Sequence, residues 1–259
     1  LDVHAALSYQ DYKRRTRTTE SDLSTGEKWL SSAEASQDIT QYKAWIARAT
    51  VAWNIAPEFS VQPGVEYQWT QGEGGRIDGT PKGSGPAFSA EYKPWEWLSL
   101  RPGVRTFIVA DYDAPIAIPS VLTKFKLTKH MDLRLSYAYG FRSPTLQELY
   151  FSFHNDNHDI DGNPDLKAEY SHNITGSVAY RVLHSEKIHL TTTLSGFYND
   201  FRDKISLAQN VDIPNYNTYY NIDRYKTVGG SLENSLSWGG LRANLNVSLI
   251  GRYNRYATG

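Results

Sequence analysis

The feature that most constrains the fold of this sequence is an unbroken two-residue alternation between positions 131 and 142. The odd positions from Met131 to Phe141 are apolar or aromatic, whereas the even positions from Asp132 to Arg142 are polar or small. Successive side chains of a β-strand point to opposite faces, so the segment predicts a ribbon with one apolar and one polar face. Strands of soluble proteins average about five or six residues, and a membrane-crossing strand needs roughly ten. The leading hypothesis is therefore a transmembrane β-barrel.

The same alternation recurs along the whole chain. It is clear over residues 1–10, 45–55, 59–69, 98–108, 131–142, 188–199 and 241–253, and weaker over 84–94, 119–128, 168–182 and 219–238. Tight turns such as Ala56-Pro57 and Gly239-Gly240 alternate with long polar links at 18–38, 72–83, 111–118, 142–167 and 206–218. Outer-membrane barrels have short periplasmic turns and long extracellular loops. The sequence thus predicts an all-β fold, with about eleven antiparallel strands in the wall of a transmembrane β-barrel and loop 142–167 outside the cell.

The aromatic residues fit this arrangement. Trp45 and Trp53 share one face eight residues apart, which is roughly 20 Å along the membrane normal for a tilted strand. We assign Tyr67, Trp69, Tyr137 and Tyr139 to an outer aromatic girdle, and Phe59, Trp95, Trp97 and Trp238 to an inner one. A soluble β-sandwich would show a similar alternation and is the alternative. Strand length and the asymmetry of the loops favour the barrel.

Composition restricts the classes of function. The net charge of −1 implies no bulk affinity for nucleic acid, and the absence of cysteine excludes a disulfide scaffold, a thiol nucleophile and a cysteine-ligated metal. No apolar run approaches the roughly 18 residues of a membrane helix. The chain shows no signal peptide, and Leu1 begins inside a predicted strand. We therefore expect residues 1–259 to form a single partial barrel domain, an internal piece of a longer protein.

Two motifs flank the loop that follows the strand ending at Arg142. The first is Tyr139-Gly140-Phe141-Arg142-Ser143-Pro144-Thr145-Leu146-Gln147-Glu148-Leu149-Tyr150, and the second is Gly162-Asn163-Pro164-Asp165-Leu166-Lys167-Ala168-Glu169. They resemble the GFRxPxxxELY and GNPxLxPE segments of TonB-dependent outer-membrane receptors, with Ala168 in place of the usual proline. Tyr219-Tyr220-Asn221 and Val228-Gly229-Gly230 resemble a later strand of the same family.

The resemblance implies active uptake of a scarce metal chelate, namely haem, siderophore-bound iron or cobalamin. The implied location is the outer membrane of a Gram-negative bacterium, with membrane lipid and the TonB complex as partners. Barrels of this family have about 22 strands, and on that plan the chain would supply strands seven to seventeen. The plug domain that meets TonB, the first six strands and the last five would then lie outside it. No cofactor is required, since the chelate is the substrate.

The motif residues also have a structural interpretation. Phe141 ends the apolar row, and Pro144 lacks a backbone donor and so stops the strand. Thr145 is a candidate N-cap for a short helix at 145–151. Asn163-Pro164 favours a turn that, together with Leu166, returns the chain to the next strand.

The loop between the motifs carries the candidate ligand site. Haem receptors of the family place a haem-ligating histidine between an FRAP-like and an NPxL motif, so the resemblance points to His154 or His158 as a ligand of haem iron. Tyr150, Phe151 and Phe153 could pack on a porphyrin, and Arg142 is a further ligand-binding candidate. Binding through neutral imidazole should weaken as the pH falls through about 6.5. The alternative is that both histidines are solvated loop residues.

Residues 156–162 partly match a calcium-binding loop, with Asn157, Asp159, Asp161 and Gly162 at suitable positions. The twelfth position is Ala168 rather than Glu, which weakens the match. A bound Ca²⁺ is a secondary prediction for this loop.

Cationic residues on the polar face are predicted to point into the barrel, namely Arg48, Arg101, Arg105, Arg134, Arg142, Arg181, Lys124 and Lys126. They could steer an anionic ligand. Alternatively, they contact a plug or pair with Glu66, Asp132 and Glu233 within the wall.

Three function classes are compatible with these features. Active uptake by a receptor is the first. A passive porin and an outer-membrane barrel enzyme are the alternatives, although no Ser/His/Asp grouping is evident in the sequence.

Overall fold

The computed structural model describes residues 1–32, 37–74, 82–109, 114–155, 158–185, 187–210, 213 and 215–255, without the side chains of 82–84, 109, 155 and 158. These residues form sixteen strands and one short helix, namely β1 (Asp2–Arg17), β2 (Thr19–Ser21), β3 (Lys28–Leu30), β4 (Gln37–Ala56), β5 (Phe59–Glu73), β6 (Lys82–Trp95), β7 (Leu98–Arg105), β8 (Ile108–Val109), β9 (Ile118–Lys126), β10 (Met131–Arg142), α1 (Leu146–Tyr150), β11 (Ser152–Asn155), β12 (His158–Asp161), β13 (Glu169–His184), β14 (Ile188–Gln209), β15 (Tyr216–Trp238) and β16 (Leu241–Arg255).

Eleven of the strands form one continuous antiparallel wall. Its order is β1-β4-β5-β6-β7-β9-β10-β13-β14-β15, and β16 pairs with β15 at the end. Consecutive long strands are always neighbours, which confirms the predicted meander. Within the described residues no pairing joins β1 to β16, so the wall is an open sheet rather than a closed ring.

The wall separates an apolar face from a polar one, as the alternation predicts. One register row places Leu133, Val178, Leu194, Leu232 and Val247 side by side on five neighbouring strands. This outer face is open to its surroundings, with Leu194 59% and Val247 56% exposed. An apolar surface of this extent on a single-layer sheet requires an apolar environment, because soluble proteins rarely expose contiguous patches of this size.

The opposite, inner face lines a cavity of about 870 Å³. Arg101, Lys124, Arg134, Ser195 and Ser231 are among the lining residues. Leu122, Phe197 and Ile250 line it as well, so the inner face is mixed, and the predicted cations Arg101, Lys124 and Arg134 lie on it.

Several of these cations pair within the wall. Arg48 donates to Glu66 on the neighbouring strand over 2.7 Å, and the Asp132 carboxylate lies 3.7 Å from both Lys124 and Arg181. This confirms the pairing interpretation for these residues.

Two other cation predictions have different outcomes. Arg101 pairs with Glu91 at 3.4 Å rather than with one of the predicted acids. Glu233 has no cationic partner in the described part of the chain.

The predicted loop boundaries are wrong in two places. β14 and β15 extend into the expected loop 206–218, as far as Gln209 and from Tyr216, because their cross-strand pairing continues to Gln209 and Asn217. The expected loop 18–38 contains a small hairpin of β2 and β3. Within the described ranges, no helix has the length and apolar character needed to cross a membrane.

Candidate functional site

Residues 143–168, between β10 and β13, are named the motif loop. Arg142, the last residue of β10, holds both ends of this loop. The guanidinium donates to Glu148 in α1 over 2.7 Å and to Glu169 at the start of β13 over 2.9 Å. Burial would raise the pKa of the Glu148 carboxyl, but the hydrogen bonds from Arg142 and Thr145 and the charge of Arg142 together outweigh it and hold that pKa below its usual value. Arg142 is therefore engaged in holding the loop.

The helix α1 confirms the short helix predicted at 145–151. Thr145 is its N-cap, and the Thr145 hydroxyl and the Glu148 side chain satisfy each other's backbone amides in a capping box. Pro144 is buried just before the cap, and Leu146 and Leu149 are buried on the helix. The first motif thus encodes a strand end, a cap and an anchored helix turn.

The second motif packs directly against the end of this helix. The Gly162 amide donates to the Phe151 carbonyl, and the Asn163 amide donates to the Glu148 carbonyl over 2.8 Å. A Cβ atom on Gly162 would lie 2.6 Å from the Leu149 carbonyl oxygen. Only glycine allows this close approach, which explains the glycine at the start of the motif.

Two asparagine side chains attach the second motif to β15. Asn163 donates to the Tyr219 carbonyl over 2.8 Å. Asn221 accepts from the Lys167 amide over 2.8 Å and donates to the Lys167 carbonyl over 3.0 Å and to the Asp203 carbonyl over 2.7 Å. A single amide group therefore satisfies both backbone groups of Lys167, as a strand partner would.

Apolar contacts reinforce this attachment. Leu149 and Leu166 from the motif loop pack with Ile205 of β14, and Tyr219 of β15 lies against them. Leu166 is only 3% exposed. This is a small hydrophobic core on the inner side of the wall, since Tyr219 and Asn221 share the alternation of cavity-lining Ser231.

The middle of the motif loop is a hairpin that adds to the sheet. β11 and β12 pair antiparallel, and β12 pairs in parallel with β15 over Asp159–Asp161. β16 occupies the same edge of β15 further along, from Arg224 to Trp238. The motif loop thus crosses from β10 past β13 and β14 to reach β15.

His154 lies on this hairpin opposite two carboxylates. Its Nδ1 contacts Asp159, and its Nε2 lies 3.1 Å from Asp161 and 2.9 Å from the Ser152 hydroxyl. The hydrogen bond with Asp159 is the main reason that the pKa of His154 lies above its ordinary value. The three side chains also bring their ligand atoms within 4.8 Å of one another, a spacing compatible with a metal ion.

The structure brings some of the predicted ligand-site residues together. The rings of Phe151 and Phe153 lie 6.2 Å apart, but His154 shares the face of β11 with Ser152, so the alternation places Phe153 on the opposite face. Tyr150 is 46% exposed at the end of α1. The backbone of His158 lies in β12, but its side chain is outside the described residues, as is Asn157. Asp159 and Asp161 lie on β12 and face His154. Calcium binding at 156–162 stays a prediction.

Three important side chains received no role in the sequence analysis. Glu148 could have been found, because Thr145-x-x-Glu148 matches the capping-box spacing. Asn221 stands in a motif that the sequence analysis noted without a role, and Glu169 ends the second motif. Their partners are distant in sequence, so spacing alone gives no signal for them.

The open wall of long antiparallel strands with one apolar face is that of a transmembrane β-barrel. The family model "TonB dependent receptor-like, beta-barrel" matches residues 2–259. The chain belongs to this family, whose barrels lie in the outer membrane of Gram-negative bacteria.

Sequence relatives match shorter segments. The hemoglobin and hemoglobin-haptoglobin-binding protein C of Haemophilus influenzae is 38% identical over 82 residues, which is 32% of this chain and 7% of that protein. The hemoglobin-haptoglobin utilization protein B of Neisseria meningitidis is 36% identical over 98 residues, 37% of this chain and 12% of that protein. The matched segments are thus a small part of these relatives.

Solved structures share the fold. The Serratia marcescens hemophore receptor HasR, solved with its hemophore HasA and heme, superposes with a TM-score of 0.73 at 15% identity over 96% of this chain and 45% of HasR. The FrpB iron transporter of Neisseria meningitidis superposes with a TM-score of 0.66 at 16% identity over 97% of this chain and 42% of FrpB. By their names these relatives are a haemoglobin-binding protein, a haemoglobin-haptoglobin utilization protein, a receptor and a transporter, and the family consists of transport receptors rather than enzymes.

Proposed function

We propose that this chain is the ligand-binding wall of an outer-membrane receptor that takes up haem and is energised through TonB. The observation that carries the proposal is the motif loop. It is tied to the inner face of the wall at the end where the long loops lie, which is the extracellular end of such barrels. A ligand arriving from outside would meet this loop first.

Haem is favoured among the metal chelates for two reasons. The sequence relatives are named for haemoglobin binding or for haemoglobin-haptoglobin utilization, and the loop carries the half-exposed imidazole of His154. Haem iron accepts a neutral imidazole nitrogen. Siderophore-bound iron and cobalamin are the other chelates of the class.

His154 is the proposed ligand, and its surroundings suit that role. Asp159 would keep its contact with Nδ1, as carboxylates do for metal-bound histidines, and Nε2 would leave Asp161 and Ser152 to bind iron. Because the pKa of His154 is raised, its protonated form persists to higher pH. Haem binding should therefore weaken as the pH falls through a value above the ordinary 6.5.

The test is the double variant His154→Ala with His158→Ala in the receptor expressed in its own outer membrane. We expect loss of growth on haem as the sole iron source and loss of the Soret shift of the purified protein. His172→Ala is the matched control, because His172 lies on the outer face beside Tyr139 and should leave both readouts unchanged.

Unchanged haem binding by the double variant would contradict the role of the histidines. Binding of a siderophore or cobalamin in place of haem would contradict the choice of cargo. Growth on haem that persists after deletion of TonB would contradict the energised mechanism.

A further inference from the structure

The outer face changes from apolar to cationic along three neighbouring strands. Towards the motif-loop end, the outer-facing register rows across β14, β15 and β16 are, in order, Leu194–Leu232–Val247, Gly196–Gly230–Leu249, Tyr198–Val228–Gly251, Asp200–Lys226–Tyr253 and Arg202–Arg224–Arg255. On β10 and β13, the last two rows continue as Tyr139–His172 and Phe141–Tyr170. The arginine row thus lies at the outer edge of an aromatic girdle.

Geometry places this row at the level of lipid headgroups. Fourteen residues separate Arg224 from Trp238, the aromatic residue at the other end of β15. At about 3.3 Å per residue and a tilt near 40°, this distance is roughly 35 Å along the membrane normal. The apolar band of such barrels is about 25 Å tall. The arginines therefore lie about 10 Å beyond it.

The row holds more positive charge than its acidic neighbours balance. Arg224 lies 2.6 Å from Asp200, which also faces Lys226 at 3.7 Å, and Arg255 lies 2.7 Å from Asp223. Two carboxylates thus face four cations. Within the described residues, the exposed guanidinium of Arg202 has no ion pair or hydrogen bond.

The register makes this excess unfavourable without a further anion. Arg202 and Arg224 are direct cross-strand partners, as are Arg224 and Arg255. Like charges directly opposite each other destabilise a sheet. A guanidinium fork matches a phosphate group in two hydrogen bonds, so phosphate is the anion whose geometry suits this row best.

We infer that the row Arg202–Arg224–Arg255, together with Lys226, binds the phosphate groups of a phosphorylated glycolipid of the outer leaflet. The inference rests on the outer-membrane placement proposed above. The apolar rows below the arginines would contact the acyl chains of the same lipid, and the tyrosines would lie at the boundary between chains and headgroups. The partner is a lipid rather than a protein because the cationic row continues an acyl-facing surface without interruption.

The experiment compares receptor variants in nanodiscs of phosphatidylcholine, with and without added lipopolysaccharide as the phosphorylated glycolipid. The readouts are the thermal unfolding midpoint and the amount of glycolipid retained after washing. Two further arms replace the glycolipid with its phosphatase-treated form or with inorganic phosphate at millimolar concentration. The variants are Arg202→Gln alone and Arg202→Gln with Arg224→Gln. The matched control is Arg134→Gln on the cavity-lining face.

We expect the intact glycolipid to raise the unfolding midpoint of the wild type and of Arg134→Gln. Retention should fall about tenfold in the double variant, and Arg202→Gln, which breaks no described contact, should lose part of it. The treated lipid and free phosphate should have little effect.

Equal stabilisation by the dephosphorylated lipid, a shift with inorganic phosphate alone, or full retention by the double variant would each overturn the inference. Haem binding measured on the same samples tests the proposed function separately, because no arginine of this row touches the motif loop in the described structure.

Discussion

Asn221 and Arg142 show how side chains that need not touch a ligand can decide where a ligand loop lies. Asn221 replaces a strand partner for Lys167, and Arg142 joins the two ends of the motif loop through Glu148 and Glu169. Arg142 bonds to carboxylates that are partly removed from water, whereas the bonds between Asn221 and Lys167 are exposed and only the bond to the Asp203 carbonyl is partly buried. Loss of Arg142 would leave partly buried carboxylates unsatisfied, which costs more than the net value of a bond, whereas water can replace Asn221 at Lys167.

We expect Asn221→Ala to release the second motif from β15 while the wall stays folded. The change removes two exposed hydrogen bonds to Lys167 and the partly buried bond to the Asp203 carbonyl, at a net cost of about 1–3 kcal/mol for the docked state. Hydrogen exchange of peptides from residues 163–168 should speed up by roughly ten- to a hundredfold.

Asn173→Ala is the matched control for this change. Asn173 bonds to Ser171 and the Ala138 carbonyl within the wall, so its removal should leave the exchange of residues 163–168 unchanged. Equally faster hydrogen exchange in both variants, or no faster exchange in Asn221→Ala, would contradict the proposed attachment of the second motif by Asn221.

At the scale of elements, alternation predicted the wall but not the hairpin within the motif loop. The long strands could be predicted because the polarity of each side chain indicates the face on which it lies, and this signal is local in the sequence. β11 and β12 are short and mostly polar, and their hairpin joins the sheet through the pairing of β12 with Tyr216–Thr218, more than fifty residues further along the chain. Local alternation gives no signal for a pairing partner so far away in the sequence. For the same reason, the contact between His154 and its two carboxylates could not be predicted.

The assignment of faces predicts opposite outcomes for two neighbouring residues of β10. Leu135→Arg places a charge on the outer face, where a lipid-facing arginine near the membrane midplane costs about 2–4 kcal/mol. Arg134→Glu changes a residue of the inner face, in register with Lys124 and Ser177, and avoids this cost. We expect heat-resistant, folded receptor in the outer membrane at near wild-type levels for Arg134→Glu and strongly reduced levels for Leu135→Arg. Equal loss for both would contradict the assignment.

At the scale of the whole molecule, the wall ends in two strands with one main partner each. β1 pairs with β4 and β16 pairs with β15, and both are long and exposed. Unpaired strand edges of this length template further pairing. Any preparation of these residues alone should therefore be handled as an incomplete sheet, and functional tests belong in the complete receptor.

The path of the motif loop also has a mechanical consequence. It leaves β10, is fastened to β15 and returns to β13, so it spans three strand intervals, or roughly 14 Å of wall. A loop attached to β15 on the inner side limits how far β10 and β15 can move apart, and it therefore restricts the curvature of this part of the wall. Asn221→Ala should weaken the attachment of the motif loop to β15, so the distance between spin labels at the outer ends of β10 and β15 should increase. An unchanged distance would mean that the strands keep their curvature without the loop.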